Sequence, residues 1–185
     1  MRIVAGAWGG RGLQGPTWNG LRPTSDRLRE TLFNVLAARL PGARLLDLCA
    51  GTGAVGLEAL SRGAAHVTFV DDDPRAVALI RANLLKCGVP EGYTIERRDA
   101  RAASAPAAGV FDIVFLDPPY AQRSLDPWLE TAARSFATCG VVVLEHARRV
   151  TAPEQVSGLT CTRRLPQGDS ALAFYQRADP VPEPR

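Results

Sequence analysis

Asp117-Pro118-Pro119-Tyr120 carries the strongest chemical signal in this chain, and it follows an apolar run, Ile113-Val114-Phe115-Leu116, that reads as a buried strand. The four residues combine a carboxylate, two prolines that stiffen the backbone and remove two N–H donors, and a flat aromatic ring. Together they make a rigid set of acceptors beside a stacking surface, suited to a planar ring that bears an amino group. Pro-Pro after a strand also serves as plain loop punctuation. The weight of the motif therefore comes from what precedes it.

Gly51-Thr52-Gly53-Ala54-Val55-Gly56 follows the strand-like Leu45-Leu46-Asp47-Leu48 and matches G-x-G-x-x-G, with Asp71 twenty residues beyond Gly51. That is also the dinucleotide fingerprint, so an NAD-dependent oxidoreductase competes with a methyltransferase. In either case the glycines let the backbone approach a ligand, and the acid accepts from ribose hydroxyls. Three features favour S-adenosylmethionine. Asp47 stands just before the glycine loop, where a carboxylate repels a pyrophosphate and attracts the α-ammonium of a methionyl group. Asp99, after the third strand, is placed to accept from an adenine amino group or a nearby donor. Asp117-Pro118-Pro119-Tyr120 follows the fourth. Ala50, Thr52, Asp72 and Ala100, adjacent to these residues, complete the expected cofactor set. Taken singly, each acid fits a helix cap or a solvated loop, and Asp72 and Asp73 in particular suit a cap on the helix that begins at Pro74. The joint pattern is what is specific.

These residues need elements to hold them, and the chain supplies a strand-helix alternation. Strands are expected at 45–48, 67–70, 93–96, 112–116 and 141–145, and helices at 54–62, 74–86 and 124 to about 137. Two further runs, 159–164 and 171–176, flank Pro166-Gln167-Gly168-Asp169 and read as an antiparallel hairpin. This order builds an α/β doubly wound sheet, which binds ligands at the carboxyl ends of its strands. Ahead of it, Arg2 to Ala5 and the stretch around Leu13 read as a hairpin across a glycine-rich turn. Leu28, Leu32, Val35, Leu36 and Leu40 recur at helical spacing behind a Thr24, Ser25 or Asp26 cap. The expected division is 1–41 as an N-terminal extension, 42–177 as the catalytic core and 178–185 as a disordered tail.

At 185 residues the chain fits one domain with an ample core. The four cysteines are scattered and neither histidine completes a ligand spacing, so reduced thiols, a cytoplasmic protein and no metal are expected. No run suits a membrane span or a signal-peptide core. The net charge is +3, and residues 1–40 alone carry +4. Arg11, Arg22, Arg27 and Arg29 thus read as a phosphate-contacting arm, with a solvated arginine-rich face as the plainer alternative. Arg27 and Arg29 could instead pair with Glu30 or with the acids of the sheet. Trp8 and Trp18 suit either base stacking or ordinary packing.

With these residues in view, the chain resembles the bacterial small-subunit ribosomal RNA guanine-N2 methyltransferases, a Rossmann-like class I family dependent on S-adenosylmethionine. The resemblance runs from Arg2-Ile3-Val4-Ala5-Gly6, through residues 21–34 and 50–64, to Asp117-Pro118-Pro119-Tyr120, and the arginine-rich helix entry is its most specific element. It implies a mostly parallel seven-stranded sheet with an N-terminal β-hairpin and helix extension. It also implies methylation of one guanine in 16S ribosomal RNA on an assembled or nearly assembled small subunit, with release of S-adenosylhomocysteine; a monomer is expected. By this resemblance Asp47, Gly51 and Gly53 hold the methionyl end, Asp71 the ribose, Asp99 the adenine, and Asp117, Pro118, Pro119 and Tyr120 the target base. The family often has one acid after the second strand, whereas Asp71, Asp72 and Asp73 stand together here.

A guanine N2 amine is conjugated with its ring and nearly non-basic, so positioning is the main catalytic task. Two rivals remain at this point. DNA adenine-N6 methyltransferases share D-P-P-Y, although only about 40 residues here lie outside the catalytic core, little for a target-recognition region. A non-catalytic RNA-binding assembly factor with a vestigial pocket is the other.

Overall fold

The computed structural model describes residues 1–21, 24–101, 111–119 and 124–177. Helix α1 (Asp26–Leu36) begins at Ser25, whose side chain accepts from the Leu28 amide at 3.2 Å. Asp26 lies in its first turn, where negative charge complements the helix dipole. Leu28, Leu32, Phe33 and Leu36 face the core. The helix gives way to a 3₁₀ turn at Ala37–Arg39, and Gly42, at φ +77°, turns the chain into the sheet.

Strand β1 (Arg44–Leu48), helix α2 (Ala54–Ser61), strand β2 (His66–Asp71), helix α3 (Pro74–Lys86), strands β3 (Tyr93–Arg97) and β4 (Phe111–Leu116), helix α4 (Asp126–Ala133) and strand β5 (Phe136–Ala147) follow. Strands β6 (Gln155–Val156), β7 (Leu159–Gln167) and β8 (Ser170–Arg177) complete the order. One sheet results, β3-β2-β1-β4-β5-β8-β7-β6. The first five positions are parallel, and β8, β7 and β6 pair antiparallel. Among the described residues eight strands stand where seven are expected. The additional strand, β6, is two residues long and turns into β7 through Ser157 and Gly158, both at positive φ. So short a strand has no periodicity to read.

The strands alternate between two cores, because successive side chains point to opposite faces. Leu45, Val67, Phe69, Ile113, Phe115 and Val143 join α1, α2 and α3 on one face, while Leu46, Val70, Val114, Leu116 and Leu144 meet α4 on the other. Helix α4 stops at Ala133, short of the expected 137, because Phe136 already pairs with Phe111 at the start of a 12-residue β5. A bulge between Phe111 and Ile113 accommodates this pairing. There a Cβ on Gly140 would lie 2.9 Å from the Asp112 carbonyl oxygen.

Every residue of α2 is buried, which a helix lying on a sheet does not achieve alone. The N-terminal segment supplies the second cover. Glu58, fully buried, accepts from the amides of Val4 (2.7 Å) and Ala5 (3.0 Å) and from Arg62 Nε (2.7 Å). Ser61 Oγ donates to the Ala5 carbonyl (2.6 Å) and accepts from the Trp8 amide (3.0 Å). The expected hairpin forms but is short: Arg2 bridges Gly12, the Ile3 amide donates to the Arg11 carbonyl (2.9 Å) and the Gly10 amide to the Ile3 carbonyl (2.8 Å), while the amides of Val4 and Ala5 turn to Glu58. Among the described residues no helix is long and apolar enough to cross a membrane.

Candidate active site at the carboxyl rim

Between β1 and β4 the strand order reverses direction, and open α/β sheets carry a crevice at such a switch point. A cavity of about 620 Å³ lies there. Asp47, Ala50, Gly51, Thr52, Asp71, Asp72, Asp99, Ala100, Asp117, Pro118 and Pro119, all expected from the sequence, line it. Gly53 sits behind the lining as the N-cap of α2. Tyr120 lies outside the described residues.

The register explains the convergence. Asp47 stands opposite Phe69 on β2 and Phe115 on β4, so the carboxyl ends of all three strands come level. Past the pairing, the Asp117 amide donates to the Leu48 carbonyl at 3.3 Å and the Ala50 amide to the Val70 carbonyl at 3.0 Å, which ties each loop to its neighbour. The glycine loop then bends tightly. Gly51 and Gly53 have φ of +56° and +75°, conformations that side chains oppose. Gly56 permits close packing, since a Cβ there would lie 2.2 Å from the Phe69 ring.

The acids divide by environment. Asp47 is 1% exposed and its Oδ2 accepts from the Gly56 amide at 3.0 Å. Burial pushes its pKa up to about 7, with Gly56 pulling the other way and Asp71 adding repulsion. Asp71 accepts from the amides of Gly51 (2.8 Å) and Asp73 (3.0 Å), and burial raises its pKa against those two donors. Asp73 is the N-cap of α3 and pairs with Arg75, which lowers its pKa, so the capping role falls to Asp73 while Asp72 faces the cavity. Asp99 is held by the amide and the guanidinium of Arg101 at 2.8–3.1 Å, which lowers its pKa as well. The Arg101 guanidinium carbon in turn sits 5.3 Å from the centre of the Trp128 ring. Thr24 Oγ1 is 3.5 Å from Asp117 Oδ2, which brings the entry of α1 against the strand-four motif.

Leu21, Thr24, Cys49, Arg101, Trp128 and Glu145 also line the cavity, and the sequence assigns none of them to the site. Glu145 ends the region expected as the fifth strand, so extending the strand-end rule by one strand would have found it. Trp128 reads only as one apolar residue of a helix. Cys49 sits at φ +62°, and burial together with Asp117, Asp71 and Asp47 holds its thiol well above the usual range. It is protonated and makes a poor nucleophile.

The arginines divide too. Arg29 is fully buried, and its guanidinium donates to the carbonyls of Thr24 (2.9 Å) and Arg2 and to Asp26 Oδ1 (2.8 Å). This corrects its assignment to a phosphate-contacting arm, because a buried guanidinium with three intramolecular acceptors has no access to RNA. Arg11 donates to the Cys87 carbonyl at the carboxyl end of α3, where a cation also suits the helix dipole. Arg27 is exposed, and Arg22 lies outside the described residues. Trp8 packs against the core, and Trp18 lies under the Arg75 guanidinium at 5.0 Å.

Parallel sheet, switch-point crevice, glycine loop and carboxylate-rich rim together define the α/β fold of the class I methyltransferases. The chain belongs to the family described as conserved hypothetical protein 95, whose model matches residues 1–176. It is 35% identical over 181 residues to Ribosomal RNA small subunit methyltransferase D of Escherichia coli (strain K12), covering 96% of this chain and 90% of that one. It is 36% identical to YlbH of Bacillus subtilis (strain 168) over 182 residues, covering 96% of this chain and 99% of that protein. The solved structure of Escherichia coli yhhF superposes with a TM-score of 0.80 at 33% identity, over 96% of this chain and 97% of its own.

Proposed function

We propose that the protein transfers a methyl group from S-adenosylmethionine to the exocyclic N2 amine of one guanine in 16S ribosomal RNA, on an assembled or nearly assembled small subunit. The observation that carries the reading is the cavity itself, with Asp47, Asp71, Asp72, Asp99 and Asp117 around its wall. A pyrophosphate would meet mostly carboxylates along such a wall, with Arg101 the one lining cation among the described residues, which disfavours a dinucleotide, whereas an ammonium, ribose hydroxyls and amino groups would find acceptors. The relatives named as ribosomal RNA small subunit methyltransferases support ribosomal RNA as the substrate.

The residues fit the cofactor. Asp47 is buried beside the glycine loop with a pKa near 7, so a cationic partner would favour its ionised form. Asp47 with Ala50, Gly51, Thr52 and Gly53 is assigned the methionyl end, Asp71 or Asp72 the ribose, and Asp99 with Ala100 the adenine. When bound, S-adenosylmethionine supplies an electrophilic methyl group on sulfur and leaves as S-adenosylhomocysteine.

The chain's own task is alignment. The Asp117 carboxylate and the Pro118 carbonyl accept the two amine hydrogens of the guanine, which turns the nitrogen lone pair out of the ring plane. As the N–C bond forms, Asp117 faces the positive charge growing on nitrogen, and the methylated amine then sheds its proton. Tyr120 is assigned the stacking contact on the strength of the sequence motif alone. A preorganised charge partner is worth about 3–4 kcal/mol and near-attack alignment up to about 7–11 kcal/mol, so alignment outweighs proton abstraction. The target guanine must be unstacked to enter, which suits a loop or junction.

The test supplies labelled S-adenosylmethionine with small subunits, deproteinised ribosomal RNA and duplex DNA in parallel, then identifies the methylated nucleoside. N2-methylguanosine from small subunits is expected. Label in N6-methyladenine would transfer the assignment to adenine chemistry, and no transfer to any substrate would leave a binding factor.

A further inference from the structure

The carboxyl rim holds a second cavity, of about 320 Å³, that shares a wall with the first. Ser25, Arg27, Gln167, Asp169 and Ser170 line it together with Glu145, which lines both. Its outer side is the two-residue turn between β7 and β8, and pairing sets that turn beside the end of β5. Ala147 stands opposite Ser170, and the Arg148 amide donates to the Asp169 carbonyl at 2.8 Å. Arg148 and Arg149 continue from this point and are both exposed, as is Arg27.

The lining mixes acceptors with one cation: the Asp169 carboxylate, the Gln167 amide and the Ser25 hydroxyl stand with the Arg27 guanidinium, and Glu145 forms the wall shared with the first cavity. Carboxylates repel a phosphate but accept from the N–H groups of a base edge or from a ribose 2′-hydroxyl. Arg148 and Arg149 leave β5 next to the Asp169 turn and are exposed, and with Arg27 they supply guanidinium groups of a kind that suits phosphate. A nucleic-acid strand that delivers one base into the first cavity must lay its neighbouring nucleotide within one backbone step, and the second cavity adjoins the first through Glu145.

We propose that this second cavity seats the nucleotide adjacent to the target base, with its sugar or base edge against Glu145, Gln167 and Asp169 and its phosphates met by Arg27, Arg148 and Arg149. The inference rests on the RNA methyltransferase reading above. It moves the main RNA contact from the N-terminal arm, where Arg11 and Arg29 are engaged within the protein, to the rim formed by α1 and the β5, β7 and β8 ends. Phosphate contacts set position here, while Gln167 contributes to base or sugar recognition.

The test uses the full chain in three variants: the triple Arg27→Ala/Arg148→Ala/Arg149→Ala, Gln167→Ala, and Arg81→Ala as an exposed cation on α3 that lines neither cavity. Binding of 16S ribosomal RNA and small subunits is measured across salt concentrations, alongside methyl transfer and S-adenosylhomocysteine affinity. The triple variant is expected to flatten the log-log salt slope by about 2 and to raise KM for subunits about tenfold or more, with kcat and S-adenosylhomocysteine affinity within about twofold. Gln167→Ala is expected to raise KM several-fold at an unchanged salt slope, and Arg81→Ala to match the parent. An unchanged slope and KM in the triple variant, or an unchanged KM in Gln167→Ala, would overturn the seat. The two readings fail separately. If guanine N2 is labelled equally well by parent and triple variant, the function stands and the seat falls. If the triple variant loses RNA binding but the parent labels another base, the seat stands and the guanine assignment falls.

Discussion

Asn83 Nδ2 donates to the Thr52 carbonyl at 3.0 Å, so the middle of α3 holds the glycine loop from behind. The same amide group binds the N-terminal segment, accepting from the Gln14 amide at 2.7 Å and donating to the Gln14 carbonyl at 3.1 Å. One fully buried side chain thus joins three stretches that are distant in sequence, and one of them is the loop assigned to the cofactor. Asn83→Leu keeps the bulk and removes all three bonds. Unfolding free energy is expected to fall by about 2–4 kcal/mol, and S-adenosylhomocysteine affinity to weaken about tenfold as the loop loosens. Thermal melts and calorimetric titration read the two effects, and an unchanged affinity would exclude Asn83 from positioning the loop.

Asp47 sets a pH dependence whose sign follows from its raised pKa. The folded apo protein keeps this proton up to about pH 7, while the unfolded chain releases it near the ordinary value of 3.8. The group's stabilising contribution is therefore fully present below about pH 3.8 and is lost as pH rises through about 7. A cofactor ammonium draws the other way, so affinity is expected to rise between about pH 6 and pH 8 as the carboxylate ionises. In Asp47→Asn both slopes should flatten and binding should weaken at pH 8. Melting temperatures and titrations across that range, on both proteins, decide it; a parent affinity independent of pH would count against the ammonium partner.

Asp117 is assigned to the amine rather than to the cofactor. Asp117→Asn keeps shape and removes charge, so kcat is expected to drop by at least about 100-fold while S-adenosylhomocysteine binding stays within about threefold. Near-normal turnover would remove Asp117 from the mechanism.

Arg29 separates a structural arginine from an RNA-contacting one. Arg29→Met deletes the donors to Thr24, Arg2 and Asp26, with an expected loss of about 3–5 kcal/mol because a buried polar network loses its centre. The salt slope of RNA binding should not change at a temperature where the variant is folded. A flattened slope would restore Arg29 to the RNA surface.

Gly6 tests the docking of the N-terminal segment. At φ +86°, a Cβ there would lie 2.0 Å from the Ser61 carbonyl oxygen, a backbone atom that cannot step aside. Gly6→Ala is expected to free the segment from α2, expose Glu58 and lower the melting temperature. Faster amide exchange at Val4, Ala5 and Ala7 would be its signature, and unchanged protection there would refute the account.

What could be read without a structure followed from local rules. Asp47, Asp71, Asp99 and Asp117 each lie at or just past the carboxyl end of a strand, so their common rim comes from strand order and sheet topology. Asp73 as a cap was legible too, because Pro74 marks the helix start. Burial of a charged side chain was not. Arg29 follows the core-facing Leu28 in the helical pattern, yet three acceptors from other turns draw its guanidinium inward. The end of α4 was equally hidden, because the pairing of Phe136 with Phe111 across the bulge overrides the local helical pattern.

The amino-acid sequence by itself determined the order of strands and helices, the glycine loop and the acids that ring it, since each depends on neighbours a few residues away. Tertiary structure alone decided that α2 is covered on both sides, that Asn83 anchors Thr52, that Glu145 stands between two cavities, and which arginines face solvent. Those are contacts between segments separated by tens of residues. The chain must pair Glu58 with Val4, or Arg29 with Arg2, in three dimensions before burial and hydrogen bonding can assign either side chain its role.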